Sequence, residues 1–206
     1  MKLHRSLFFA LVATGFAAVN FATAQTAPSA LGPYHDPYPI TLGGGLSNFN
    51  VDWDKSRMQG ITLWAEWRFT FLPAAMAGLG LEAEGRNIDY NRPVTVPANF
   101  RERTLLFGPM YTMGQFRHVQ PYFKVLEGMG NIDTYAPAHG KVPATTHDSQ
   151  VVGAPGLGLK LRLTSHIWAR IEYEYQAWPN AFGKTLDPQG FTVGAGYEFR
   201  GIRGSR

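Results

Sequence analysis

Cysteine is absent from the 206-residue chain, so neither a disulfide bond nor thiol chemistry contributes to its fold or function. Beyond residue 24 no stretch of 18 consecutive apolar residues occurs. If the mature chain enters a membrane, it must therefore do so as strands, because only spanning helices and closed barrels satisfy every backbone group there. The formal net charge is small, at +4, and losing Lys2 and Arg5 with a leader leaves +2. This near-balance lacks the clustered basic surface of a nucleic-acid-binding protein.

Motifs for cofactors and metals are also lacking. The six histidines are scattered without the spacing of a metal site. Gly43-Gly44-Gly45 lies in a strand pattern that no helix follows, which does not match a phosphate-binding loop. We expect no cofactor and no metal site.

Residues 1–24 have the three parts of a secretory signal peptide. A basic start at Lys2 and Arg5 precedes an apolar core over residues 7–19, and Ala22-Thr23-Ala24 forms a small-residue cleavage site. The core spans about 13 residues, short of the roughly 20 that a spanning helix requires. We predict cleavage after Ala24, a proline-rich periplasmic lead-in over residues 25–39, a barrel over residues 40–200 and a short tail over residues 201–206.

Alternation of apolar and polar residues is the strongest positive signal. From Ile61 to Phe69 the odd positions are apolar and the even positions are polar, apart from Trp64. A period of two puts the two classes on opposite faces of a β-strand. The pattern recurs and predicts eight strands near residues 40–50, 58–70, 78–89, 101–113, 119–129, 149–163, 167–177 and 190–200.

The lengths of the connections alternate as well. Segments 51–57, 87–100, 130–148 and 178–189 are loop-like, whereas segments 71–77, 114–118 and 164–166 are brief. Outer-membrane barrels have long external loops and short periplasmic turns. We predict an all-β protein: a single eight-stranded antiparallel up-and-down transmembrane β-barrel, with bulges at Pro109, Pro121 and Pro155. Aromatic girdles are expected at both rims, with Tyr173, Tyr175 and Trp178 on the external side.

Several segments carry a family resemblance. They are Leu106-Phe-Gly-Pro-Met-Tyr111, Val119-Gln-Pro-Tyr-Phe123, Gly153-Ala-Pro-Gly-Leu-Gly-Leu-Lys160 and Val193-Gly-Ala-Gly-Tyr-Glu-Phe199. These segments resemble the small outer-membrane β-barrels of Gram-negative bacteria, the OmpA-like or porin-family eight-stranded barrels. The resemblance implies a location in the outer membrane, contact with its lipid and insertion by the barrel-assembly machinery. One departure is that Phe199 is not terminal, since seven residues follow it.

The predicted register brings seven acids and seven bases to the inside of the barrel. An eight-stranded barrel is just wide enough for side chains to fill, so a balanced interior predicts a charged plug. The predicted interior network consists of Glu66, Arg68, Glu82, Glu84, Arg86, Glu102, Lys124, Lys160, Arg162, Arg170, Glu172, Glu174, Glu198 and Arg200.

The function that these features favour is a structural or surface-recognition role, with an unknown partner for the external loops. Three alternatives remain open: a narrow pore, a soluble lipocalin-like binding barrel and a lipid A-modifying enzyme. The third alternative depends on His147-Asp148-Ser149, because a strand places residues i and i+2 on one face. No Glu or Asp follows at a comparable spacing to orient His147, so we expect no enzyme. Ser165-His166 is weaker still, since adjacent strand residues face opposite ways.

Overall fold

The strands follow the alternation of the sequence along the whole described chain. The computed structural model describes residues 40–50, 57–73, 76–90, 99–135, 145–181 and 184–199. The leader (1–24), the lead-in (25–39) and the tail (201–206) lie outside the described residues. The strands are β1 (Ile40–Asn50), β2 (Arg57–Arg68), β3 (Leu79–Tyr90), β4 (Asn99–Thr112), β5 (Val119–Tyr135), β6 (Thr145–Arg162), β7 (Ile167–Tyr175), β8 (Trp178–Ala181), β9 (Lys184–Leu186) and β10 (Gln189–Phe199).

Eight of these strands close into an antiparallel barrel in the order β1-β10-β7-β6-β5-β4-β3-β2. Closure is made by β1 and β10, whose register runs from Ile40 opposite Phe199 to Asn50 opposite Gln189. The predicted fold class is therefore confirmed. We call the end that holds Ile40 and Phe199 the turn end, and the opposite end the loop end. No helix among the described residues is long and apolar enough to span a bilayer.

The outer surface carries the apolar half of the alternation. On β2, Ile61 and Leu63 are 57% and 61% exposed, whereas the alternate residues Thr62, Trp64 and Glu66 are buried. The apolar belt is formed by exposed side chains from the barrel strands, including Leu42, Leu46, Leu105, Phe107, Met129, Val151, Leu157, Leu159, Leu161, Ile171, Phe191 and Val193. Such a surface suits lipid acyl chains, and it reverses the orientation of a lipocalin-like barrel.

Aromatic rings border the apolar belt at the turn end. Trp67 packs edge-on against Phe69 with ring centroids 5.5 Å apart, and Tyr197 packs against Phe199 at 4.9 Å. The amphipathic rings of Trp and Tyr suit the membrane–water interface. At the loop end, Tyr173 lies 5.1 Å from Phe191 between ring centroids. The interpretation of Trp178 as a girdle residue is wrong, because its side chain is fully buried.

Two connections differ from the sequence-based prediction. Most of segment 130–148, predicted as an external loop, is strand: β5 continues to Tyr135 and β6 begins at Thr145. Their ladder is uninterrupted from Val119 opposite Leu161 to Tyr135 opposite Thr145. Beyond the apolar belt the outward residues are polar, but successive side chains still point to opposite faces. The strands therefore extend past the belt with the same two-residue period. Segment 178–189, also predicted as a loop, contains the small β8–β9 sheet.

The predicted bulges at the strand prolines are not found. Pro121 lies opposite Leu159 and Pro155 lies opposite Val125 in one unshifted register between β5 and β6. Pro109 lies opposite Leu81 on β3, while the ladder from β4 to β5 skips the Gly108-Pro109 pair and resumes in register at Met110. A missing proline N–H removes a ladder hydrogen bond, and here that loss is absorbed without an inserted residue.

Candidate functional site

A cluster of charged side chains fills the middle of the barrel. Its centre is the ammonium of Lys124, which projects inward from β5 with no exposed side-chain surface. The Lys124 Nζ lies 2.9 Å from Glu82, 2.5 Å from Glu84, 2.9 Å from Glu172 and 3.1 Å from Glu174. Two of these acids come from β3 and two from β7, across the lumen from each other. One ammonium therefore joins three strands of the barrel.

Two arginines extend the cluster on either side of Lys124. Arg170 donates to Glu82 at 2.8 and 3.1 Å and also bonds Glu172. Arg86 donates to Glu174 at 2.7 Å and to Glu84 at 2.5 Å. Arginine presents a planar fork of donors that can satisfy two carboxylates at once. The acids are thus shared between cations, as a buried charge network requires.

Nearer the turn end the network continues through two further pairs. Lys160 bonds Glu66, and Arg68 bonds Glu198. The guanidinium of Arg162 lies 4.0 Å from Glu198, and its side chain is 29% exposed. Arg162 is therefore at the mouth of the barrel.

The fourteen charged residues that the sequence predicted for the interior can be placed as follows. Arg200 lies outside the described residues, and Arg162 is partly exposed at the turn end. The other twelve are buried: Glu66, Arg68, Glu82, Glu84, Arg86, Glu102, Lys124, Lys160, Arg170, Glu172, Glu174 and Glu198.

An apolar plug fills the inside of the barrel at the loop end. It was not predicted from the sequence. Trp178 on β8 is fully buried, and its ring lies against Gly130 in a buried cluster that includes Val152. Its indole N–H donates to Gln176 at 2.8 Å, so the one polar atom of the ring is satisfied. The plug consists of two buried clusters: Leu106, Leu126, Ile132, Val152, Ala154, Trp178, Ala181 and Leu186, and Phe49, Met58 and Ile88.

A small cavity lies between these side chains. Its volume is about 10 Å³, and its lining includes Thr41, Glu66 and Lys160. A cavity needs roughly 10–15 Å³ by the same measure to hold one water molecule. The cavity is therefore at the lower limit for a single water.

Three of the carboxylates have a spacing that a cation could use. Oxygens of Glu82, Glu84 and Glu172 lie within 4.8 Å of one another. The ammonium of Lys124 is bonded to all three at 2.5 to 2.9 Å. A lysine therefore supplies the positive charge that a metal ion would bring.

A second polar cluster lies on the outer surface, where β4, β5 and β6 extend past the apolar belt at the loop end. It has two rows that follow the strand register. Arg101, Asp133 and His147 are opposite one another in the upper row, and Arg103, Asn131 and Ser149 in the lower row. We call these six residues the outer polar array. The next row towards the turn end is apolar and exposed, and it consists of Leu105, Met129 and Val151.

Three residues of the array form a chain of hydrogen bonds. The Oγ of Ser149 lies 2.8 Å from Nε2 of His147, and Nδ1 of the same ring lies 2.5 Å from Oδ1 of Asp133. The side chain of Asp133 is 13% exposed and that of His147 is 57% exposed. The hydroxyl and the imidazole are therefore accessible from outside, while the carboxylate is covered.

His147 and Ser149 were predicted from the sequence, but Asp133 was not. An acid was expected after Ser149 on the same strand, whereas the acid lies on β5, opposite His147 and 14 residues before it. The signal is a cross-strand pair, which is visible only once the β5–β6 register is known. Ser165 and His166 also share a 2.8 Å hydrogen bond, in the turn at the other end of the barrel.

The closed barrel, the apolar outer belt and the charged interior define a transmembrane β-barrel. The family model described as outer membrane protein beta-barrel domain matches residues 8–199. The chain belongs to this family of outer-membrane proteins. No curated protein sequence matches it.

Solved structures with the same fold come from several bacteria. Neisserial surface protein A is 9% identical with a TM-score of 0.58, and the alignment covers 80% of this chain and 98% of that one. The attachment invasion locus protein Ail of Yersinia pestis is 19% identical with a TM-score of 0.53, over 78% and 96%. The outer membrane protein OprG of Pseudomonas aeruginosa is 13% identical with a TM-score of 0.52, over 82% and 99%. At these identities the likeness is one of fold.

Proposed function

We propose that this protein is a sealed outer-membrane barrel with a structural or surface-recognition role, and that its loop end is presented at the cell surface. The observation that carries the proposal is the filled interior. Lys124, Arg170 and Arg86 join acids from facing strands, and Trp178 closes the loop end above them. An ion crossing this barrel would have to displace several buried charge pairs, each of which is expensive to break.

Conductance across planar bilayers tests the absence of a pore. The refolded mature chain is expected to give no discrete current steps. The Trp178→Ala variant removes the largest side chain of the apolar plug while leaving the charged cluster in place, and it is also expected to be silent. Stable, ion-selective steps from the unaltered barrel would refute the sealed interior and would favour the narrow pore instead.

The topology that we propose places residues 1–24 in a cleaved signal peptide and the turn end in the periplasm. The short connections between β4 and β5 and between β6 and β7 suit the periplasmic side, as in other outer-membrane barrels. Outer-membrane lipid then surrounds the apolar belt, and the barrel-assembly machinery inserts the chain. N-terminal sequencing of the outer-membrane fraction should give Gln25, and the band should change mobility on boiling.

The surface-recognition role is best placed on the β5–β6 hairpin. These two strands have 17 and 18 residues, whereas β7 beside them has nine. Paired strands that extend beyond β7 hold their side chains in fixed positions, which lowers the entropy lost on binding. Replacing residues 136–144 with a short glycine-serine linker should leave the heat-modifiable barrel intact while removing binding to any surface partner.

A further inference from the structure

We propose that Ser149, His147 and Asp133 form an ester-hydrolysing site on the outer face of the barrel, acting on acyl esters of membrane lipids. This inference goes beyond the proposed surface role and does not rest on it. The observation behind it is the hydrogen-bond chain from Ser149 Oγ to His147 Nε2, and from His147 Nδ1 to Asp133. This is the order of contacts in a serine hydrolase triad, which is recognised by geometry and not by position in the chain.

The strand register explains how the triad is held. His147 and Ser149 are two residues apart on β6, so both side chains leave the same face of the strand. Asp133 is directly opposite His147 on β5, where facing Cβ atoms lie about 4.5–5.5 Å apart. The guanidinium of Arg103 lies 3.8 Å from the second oxygen of Asp133. Two paired strands of a closed barrel therefore fix three side chains that would be mobile on a loop.

Each residue has a defined role in the reaction. Asp133 accepts a hydrogen bond from Nδ1–H of His147, which leaves the lone pair of Nε2 facing the Ser149 hydroxyl. Ser149 and His147 are the catalytic residues, and Asp133 is a positioning residue. Asn131 is opposite Ser149 on the same outer face, where its side-chain amide can donate to the developing oxyanion.

The chemistry balances with water as the second reactant. Ser149 Oγ attacks the ester carbonyl carbon while its proton passes to Nε2 of His147. The bond from the carbonyl carbon to the alcohol oxygen then breaks, and His147 gives that oxygen the proton. Water attacks the acyl-serine with His147 again as the base, and Ser149 recovers its proton as the fatty acid leaves.

The position of the triad identifies the substrate class. Ser149 lies in the lowest polar row, and the next row towards the turn end, with Leu105, Met129 and Val151, is 70%, 53% and 51% exposed. Acyl chains pack on this apolar row, so the ester groups that join them to their headgroups lie at the level of Ser149. Arg103 in the same array has a side chain that is 51% exposed, and its guanidinium favours an anionic headgroup. Both glycerophospholipids and acylated saccharide lipids carry such esters.

The test uses the mature chain refolded into vesicles of phospholipid alone, or of phospholipid with lipopolysaccharide, and measures released fatty acid by mass spectrometry. Release from the first vesicles identifies a phospholipid substrate, and release only from the second identifies the saccharide lipid. Ser149→Ala and His147→Ala should each lower the rate by about 100-fold or more, as loss of a nucleophile or general base does. Ser165→Ala removes another serine that is bonded to a histidine, and it should have no effect.

Further measurements separate catalysis from structure. Asp133→Asn should also lower the rate by about 100-fold because it favours the wrong tautomer of His147, and Asp133→Glu should restore part of it. A fluorophosphonate probe should label Ser149 in the unaltered chain but not in His147→Ala. Labelling of Ser149 without release of fatty acid from either kind of vesicle would refute acyl lipids as the substrate. Neither labelling nor release, from barrels that still show heat-modifiable mobility, would overturn the whole inference.

Discussion

Replacing Lys124 with methionine is the most direct test of the charged interior. Methionine has a similar length but no charge, so Lys124→Met removes the ammonium with little change of volume. Four carboxylates lie within 3.1 Å of that ammonium. At an effective dielectric constant of 20, each attraction at such a distance is worth about 5 kcal/mol before desolvation is counted.

The net loss is smaller than this sum, because the ammonium no longer has to be buried. Removing one partner of a buried ion pair typically costs about 3–5 kcal/mol. We expect Lys124→Met to lower the free energy of unfolding by about that amount. Unfolding in urea, followed by tryptophan fluorescence in vesicles and by the heat-modifiable gel band, measures the change.

Two further variants give this experiment its controls. Lys160→Met removes an ammonium that bonds Glu66, and it should cost less than Lys124→Met because fewer acids lose a partner. Adding Glu84→Gln to Lys124→Met should recover about 1–3 kcal/mol, as expected for residues coupled in one network. A loss below about 1 kcal/mol for Lys124→Met, with no recovery in the double variant, would refute the idea that the interior is held by charge pairing.

Four other substitutions, two of them a matched pair of glycine variants, test the rest of the barrel by the same unfolding measurement. Trp178→Ala should lower stability by about 3–5 kcal/mol through the cavity it leaves in the plug, and a loss below 1 kcal/mol would contradict that packing. Leu157→Arg, on the lipid face of β6, should cost about 2–4 kcal/mol in vesicles, whereas a neutral result would place this residue away from acyl chains. Gly128→Ala should be destabilising because its methyl carbon would lie 2.1 Å from the carbonyl oxygen of Leu105, and Gly85→Ala, with open space at its Cβ position, should have little effect. Equal effects of the two glycine substitutions would contradict the close strand contact.

The barrel could be predicted from the sequence because one physical rule acts along every strand. Residues such as Leu157, Lys160 and Leu161 differ in polarity according to the side of the sheet they face, and the sheet has only two sides. The strand ends were less predictable. At Asn131 and Asp133 both faces lie above the lipid, so apolar residues no longer mark the outer side.

Two features could not be predicted because they depend on tertiary contacts: the burial of Trp178 and the position of Asp133. Trp178 follows β7 in a segment rich in turn residues, and an aromatic residue there fits a girdle as well as a plug. Its burial depends on β8 folding over the open end of the barrel, towards β6. Asp133 was missed because strand pairing brings it to His147, and one sequence does not specify which residues of two long strands face each other.

The contact that closes the barrel joins the first strand to the last, with Ile40 opposite Phe199. The internal charge pairs also join early strands to later ones. Glu66 on β2 pairs with Arg170 on β7, and Arg86 on β3 pairs with Glu174 on β7. Arg68 on β2 pairs with Glu198 on β10, so the polar core is completed only when β10 joins the sheet. Until then the growing sheet has two open edges and unmatched charges, neither of which lipid tolerates. Pairing of β10 with β1 on one side and β7 on the other therefore removes both open edges and supplies the acid that Arg68 needs.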